Sequence, residues 1–204
     1  MKAEDIIAGE DFQKCVEFHG HLCPGLTIGY KASVAGLEWL KAHRSLDEEI
    51  VAIVETDACC ADAVQVMTGC TFGKGNFIFK DHGKMAFTFF SRQSGIGIRV
   101  VLKSDAVRPD KRHLELIQKK QNGTATNAEL EEFKRQFKKR TRDILEKPLD
   151  GIFDLKEAQF DPPAKAQIQP SIACSQCGEP TMESRLVEKD GLRLCRECLP
   201  ALTG

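Results

Sequence analysis

Two cysteine pairs, Cys174-Ser175-Gln176-Cys177 and Cys195-Arg196-Glu197-Cys198, stand seventeen residues apart near the end of the sequence and constrain its fold more than any other feature. Two CxxC knuckles at this separation can set four thiolates at tetrahedral corners about 2.3 Å from a zinc ion, the geometry of a closed structural site. Gly178 supplies the backbone freedom that the turn after the first knuckle needs. Lys189-Asp190-Gly191 lies between two short β-prone stretches and is expected to close a hairpin that brings the knuckles together. So small a module lacks the apolar surface to fold alone, and metal binding is expected to supply folding free energy on the order of 10 kcal/mol. The alternatives are iron on the same four thiolates, a disulfide pair, or cysteines unrelated to one another. Arg185, Lys189, Arg193 and Arg196 are offset by Glu179, Glu183, Glu188, Asp190 and Glu197. The module therefore reads as a staple or protein-docking unit before a nucleic-acid reader.

The other five cysteines bring the total to nine, an odd number that cannot pair completely within one chain. The opening MKAEDIIAGEDF has acids where a secretory leader needs a basic start and an apolar stretch, so the expected location is cytoplasmic. In that reducing compartment the cysteines point to metal or thiol chemistry. The longest aliphatic run, residues 50–54, is far shorter than the roughly 20 residues that cross a bilayer. With 29 basic and 30 acidic side chains and 42% apolar residues, the chain is neither disordered nor saturated with positive charge.

The pattern along the chain predicts an α+β fold: helices packed on a largely antiparallel sheet, then a basic helical segment and a small module of the zinc-ribbon or treble-clef kind. Three parts are expected: a core over residues 1–150, a proline-containing linker over 151–170, and a zinc-binding module over 171–204. Pro24 followed by Ile28, Ala32, Ala35, Leu37 and Leu40 predicts a helix ending near His43. Residues 50–56 predict a buried strand, and residues 59–69 a second helix ending at Gly69. Residues 76–80, 85–92 and 96–103 predict a strand meander turning at Asp81-His82-Gly83 and Ser94-Gly95. Residues 103–147 carry 13 basic against 8 acidic side chains. Their second half has a cap at Thr126 or Asn127, Glu129 or Glu131 in the first turn, and a narrow stripe of Leu130, Phe133, Phe137 and Ile144. That stripe wants a partner surface and motivates an expected homodimer. The run Lys134 to Arg140 reads as the solvated face of this helix, with phosphate contact as the alternative.

The second chemical cluster is Phe18-His19-Gly20-His21-Leu22-Cys23-Pro24-Gly25. Cys23 falls at the start of a helix, where free backbone amides favour the thiolate that ligates metals or attacks electrophiles. Asp57-Ala58-Cys59-Cys60-Ala61-Asp62 occupies a similar junction of strand end and helix start. Bringing His19 or His21 together with Cys23 and Cys59 would give a mixed nitrogen and sulfur site for zinc or another transition metal. Cys15 and Cys70 read as packing residues, and His43 and His113 as surface residues. The glycine-rich stretch over residues 69–76 lacks phosphate-loop spacing and reads as a tight turn at the rim of the cleft, with Lys74 and Asn76 offering polar contacts and Gln65 facing inward.

Taken in order, FHGHLCPGL at 18–26, ETDAC at 55–59, DAVQ at 62–65, TGCTFGKGN at 68–76 and DHGK at 81–84 resemble the FmdE family, related to the FmdE component of formylmethanofuran dehydrogenase. The resemblance covers roughly residues 10–150. It implies an α+β core forming intertwined homodimers and a functional patch of His19, His21, Cys23 and Pro24 with Cys59 and Asp62. Position 60 is usually alanine in that pattern, so Cys60 leaves open which of Cys59 and Cys60 faces the site. Some members carry a C-terminal zinc finger, and a molybdenum or tungsten enzyme is the kind of protein partner implied. The expected function is a metal-binding accessory or metal-sensing protein holding a structural zinc and a second transition metal. The competing expectations are a thiol enzyme using Cys23 with His21 as base, and a zinc-finger regulator contacting nucleic acid or protein.

Overall fold

The computed structural model describes residues 2–158 and 164–199, and the chain divides into two compact units, residues 1–165 and 166–204. The linker prolines Pro162 and Pro163, and residues 200–204 of the module, lie outside the described residues.

The first unit is built around β1 (Ile50–Val54), five apolar residues buried end to end. β-branched side chains suit a strand packed on both faces. β1 pairs antiparallel with β3 (Ala86–Ser91) and parallel with β2 (Phe77–Phe79). β4 (Ile96–Leu102) pairs antiparallel with β3, and β5 (Phe153–Glu157) with β4, giving the order β2-β1-β3-β4-β5. One face carries Ala52, Val54, Phe87, Phe89, Ile98 and Val100 into the main core under helices α3 (Pro24–Leu40) and α4 (Cys60–Thr68). Val51, Ile53 and Phe90 cluster separately with Ile78.

The α+β class holds, with two departures in detail. The predicted meander is half right: β3 and β4 form the hairpin, but β1 lies between β2 and β3. The chain leaves β1, crosses through α4 and returns parallel as β2, the arrangement that a helical crossover permits. Asp81-His82-Gly83 therefore passes the end of β1, with the Lys80 amide bonded to the Val54 carbonyl and the Lys84 amide to that of Glu55. Second, residues 153–157, inside the range expected as linker, form the edge strand β5.

Two further helices, α1 (Ala3–Ala8) and α2 (Glu10–His19), precede the cysteine and histidine motif. Gly20, at φ +88°, ends α2 in the left-handed conformation. After β4 the chain forms α5 (Lys111–Gln121) and α6 (Asn127–Glu146). Thr126 and Glu129 close a reciprocal capping box on α6. The apolar stripe of α6 finds partners inside the chain. Phe133 stacks on His113 of α5 at 5.3 Å, Phe137 packs against the Cys15, Cys23 and Leu26 cluster, and Ile144 is in the main core. His113 is thus no surface residue: it is 1% exposed and hydrogen-bonded to Gln136. The buried Lys31 of α3 donates to the carbonyls of Ile144, Leu145 and Lys147, tying α3 to the C-terminal end of α6. A one-turn helix α7 (Leu149–Ile152) leads into β5.

The second unit has two short antiparallel pairs, β6 (Ser171–Ala173) with β7 (Pro180–Met182), and β8 (Val187–Lys189) with β9 (Leu192–Leu194). Asp190 and Gly191 both have positive φ, 52° and 77°, which makes the expected hairpin turn of the primed type.

Candidate metal centres

In the second unit the thiol sulfurs of Cys174, Cys177, Cys195 and Cys198 all lie within 4.8 Å of one another. Each knuckle is a turn: the Gly178 amide reaches the Cys174 carbonyl at 2.9 Å, with Gly178 at φ +75°, and the Cys198 amide reaches that of Cys195 at 3.1 Å. The Cys195 amide also donates to Cys174 Sγ at 3.3 Å, bridging the two knuckles. Amides of Cys177, Cys195 and Gln176 directed at Cys174 hold its thiol down to about 6, whereas the Cys195 thiol and burial push that of Cys198 up to about 12, so Cys174 is the readier of the two to become a thiolate. Among the described residues, apolar support comes from Leu194, with Leu186 and Leu199 beside it. Four sulfurs so gathered fit a tetrahedral zinc ion, whose 2.3 Å bonds put ligands about 3.8 Å apart.

In the first unit His19 ends α2, His21 follows in the loop, and Cys23 is the N-cap of α3, its Sγ accepting from the Leu26 amide at 3.3 Å. One ligand atom from each of these three residues lies within 4.8 Å of the other two. His19 Nδ1 meets Asp62 Oδ2 of α4 at 2.7 Å, leaving Nε2 to face Cys23 Sγ at 3.7 Å. The His21 ring sits 4.5 Å from that of His19, centroid to centroid. A nitrogen and a sulfur bound to one zinc ion stand about 3.5 Å apart, so the pair already has the spacing of two ligands. The donor set fits a borderline metal ion.

Cys59 is partly buried against the same cluster but is not in the three-donor group. It, and not Cys60, faces the site. Cys60 is fully buried in the main core with its thiol 3.6 Å from Met85 Sδ. Two glycines of α3, one turn apart, set this arrangement. A Cβ on Gly25 would come within 3.1 Å of Cys59 Cβ, and one on Gly29 within 2.2 Å of the Cys60 carbonyl oxygen. Only glycine lets the start of α4 approach α3 this closely. That role goes unread in the sequence, although Gly25 and Gly29 at helical spacing are the signal for it.

Three expectations need correction. Burial pushes the Cys23 thiol up to about 11, opposed by the backbone amides of Leu26 and Gly25, so the helix start does not by itself make a thiolate. The nitrogen facing that thiol belongs to His19, while His21 is exposed. Lys74 and Asn76 offer nothing to a cleft: Lys74 Nζ bonds the carbonyls of Leu46 and Gly69, and the buried Asn76 pins Thr71, Asp47 and Ile50. The glycine-rich stretch is the tight turn expected, further held by Gln65 Oε1 on the Phe72 amide at 3.4 Å. Cys15 and Cys70 are fully buried, with burial pushing their thiols up to about 12 and 11.

Fold and sites together define an α+β domain with a mixed histidine and cysteine donor cluster, followed by a four-cysteine zinc-finger unit. The chain belongs to the FmdE family, described as molybdenum formylmethanofuran dehydrogenase operon, which it matches over residues 18–154. Residues 170–201 match the prokaryotic dksA/traR C4-type zinc finger. A relative from Archaeoglobus fulgidus, named a probable S-adenosyl-L-methionine-binding protein, is 37% identical over 192 residues, 89% of this chain and 50% of that one. The chain thus spans about half the length of that relative. The crystal structure of a tungsten formylmethanofuran dehydrogenase FmdE-like protein from Syntrophus aciditrophicus shares the fold, with a TM-score of 0.63 at 23% identity, covering 98% of this chain and 92% of that one. No described helix is long and apolar enough to cross a membrane.

Proposed function

We propose that this chain is a metal-handling accessory or sensor protein: its C-terminal unit holds zinc for structure, and its core holds a second transition metal in an open site. The observation that carries the reading is the Asp62, His19 and Cys23 relay. A carboxylate on Nδ1 fixes the tautomer of His19 and orients Nε2, as outer carboxylates do for metal-bound histidines. A metal ion would also stabilise the Cys23 thiolate against the cost of burial. His19, His21 and Cys23 would be its ligands and Cys59 the neighbouring thiol. Three ligands leave a fourth position for an incoming group, the difference between an open site and a closed one. All three donors come from one chain. The partner in this reading is a molybdenum or tungsten enzyme, a choice motivated by the molybdenum operon that the family description names.

The basic face of α6 gives the nucleic-acid reading less support than its composition did. Lys134 pairs with Glu131, Lys139 with Asp143, Arg142 with Glu4, and Arg140 donates to the Val107 carbonyl.

Titration of the full chain with cobalt(II) tests the reading. Two successive spectra are expected, an intense four-thiolate spectrum and a weaker mixed nitrogen and sulfur one, the second lost in Cys23→Ala. A single spectrum, unchanged by that substitution, would remove the core metal from the account. S-adenosyl-L-methionine, from the name of the Archaeoglobus relative, belongs in the same titration as a candidate for the open position.

A further inference from the structure

A cluster of charge lies on the sheet of the first unit. Ile53, Thr88, Arg99 and Lys156 are register partners in one row across β1, β3, β4 and β5. They line a cavity of about 400 Å³ together with Glu55, Lys80, His82, Glu157 and Ala158. Glu55 is only 7% exposed and organises the group. Arg99 Nε and Nη2 clasp its two carboxylate oxygens at 2.8 and 2.9 Å, and His82 Nδ1 approaches at 3.2 Å. The Arg99 hydrogen bond, then that of His82, holds the Glu55 carboxyl below its ordinary range, so it stays ionised. It is spent as a counter-charge.

With Glu157 counted beside Glu55, the lining still sets Lys80, Arg99, Lys156 and the His82 imidazole against two carboxylates, an excess of donors. Arg99 and Lys156 are cross-strand neighbours of like charge, a pairing that weakens a sheet unless something answers it. Glu55 answers Arg99. Among the described residues neither Lys80 nor Lys156 has an ion-pair partner, while Arg99 Nη1 and His82 Nε2 are left over from the clasp. Two residues here, Glu55 and His82, come from the ETDAC and DHGK motifs; neither is among the donors of the metal site, which takes Cys59 from the first motif as its neighbouring thiol and nothing from the second.

We propose that this cavity binds a small oxyanion, the carboxylate or phosphate group of a small molecule. The group would lie between Lys80, Lys156 and the outer edge of Arg99, with Thr88 at the floor. Glu55 would hold the guanidinium and the imidazole in place for it. The proposal does not rest on the core metal, because none of the residues lining this cavity belongs to its donor group.

The test is an amide-resonance titration of the full chain with inorganic phosphate and, separately, with succinate, at constant ionic strength. Saturable shifts centred on residues 80–84, 99 and 156 are expected. The Lys80→Ala/Lys156→Ala variant alters exposed side chains only and should weaken binding about tenfold or more, whereas Lys134→Ala on α6 should leave it unchanged. The tighter of the two anions identifies the head group. Non-saturating shifts, or equal affinity in the double-lysine variant, would overturn the proposal.

Discussion

In the C-terminal unit four thiols converge on a segment whose described strands are three residues each, supported by little more than Leu194. In the core, His19, His21 and Cys23 ride on the end of α2 and the start of α3, held by a five-stranded sheet and by Asp62 on α4. Among the described residues the first site has only two short hairpins and a small apolar cluster for a scaffold, so metal binding and folding are expected to be one equilibrium. The second, on the reading proposed above, stands on an extensive apolar core, so its scaffold is expected to form without metal. A site of that kind can lose, exchange or present its ion without unfolding the protein, which is what metal handling or sensing requires.

The largest effect should come from Cys195→Ser. Losing one of four thiolates removes much of a zinc-binding free energy on the order of 10 kcal/mol, so residues 166–199 should unfold while the first unit keeps its helical dichroism. Limited proteolysis would show it, and cleavage spreading equally into both units would break the contrast. Gly29→Ala should do the reverse. Its Cβ meets backbone at 2.2 Å, so α3 and α4 must separate, with an expected loss of up to roughly 3 kcal/mol in denaturant unfolding of the first unit and no change in zinc content. Asp62→Asn is expected to lower core metal affinity by about 10- to 100-fold in a competition assay while sparing the four-cysteine site. Unchanged affinity would mean that the His19 contact is incidental.

The smallest effect concerns acid. Arg99 and then His82 depress the Glu55 carboxyl, so its folded value lies below the unfolded one. The stability it contributes is present above the ordinary carboxylate range and lost as pH falls through the folded value. The zinc site should fail earlier, because protons compete with metal for thiolates. Metal release near neutral-to-mild acid, followed below about pH 4 by core loosening, is expected in a combined zinc-dye and fluorescence titration. Simultaneous loss would contradict the separation of the two units.

Local signals carry the fold well where a single element determines its own shape. Pro24 after a capping Cys23 marks the start of α3, the β-branched run marks β1, and the two knuckles mark the zinc unit. What is not legible depends on distant contacts. Strand order is one case, because nothing in residues 77–79 says that they lie beside β1 instead of β3. Phe153-Asp154-Leu155-Lys156-Glu157 has one buried residue and looks like linker until β4 is beside it. His113 sits among Lys111, Arg112 and Glu115, yet its own face of α5 turns to Phe133 and Gln136. The Cys23 thiol is similar: its helix position is readable, but the burial that outweighs that position comes from α2 and α4.

Elemental analysis of the natively purified full chain, beside Cys23→Ala and Cys195→Ser, tests the central claim most directly. The account predicts about two metal ions per chain in the parent and about one in each variant. In Cys23→Ala the remaining ion should be zinc in a folded C-terminal unit. About one ion per chain in the parent, unchanged in Cys23→Ala and lost in Cys195→Ser, would contradict it and leave the core without a metal.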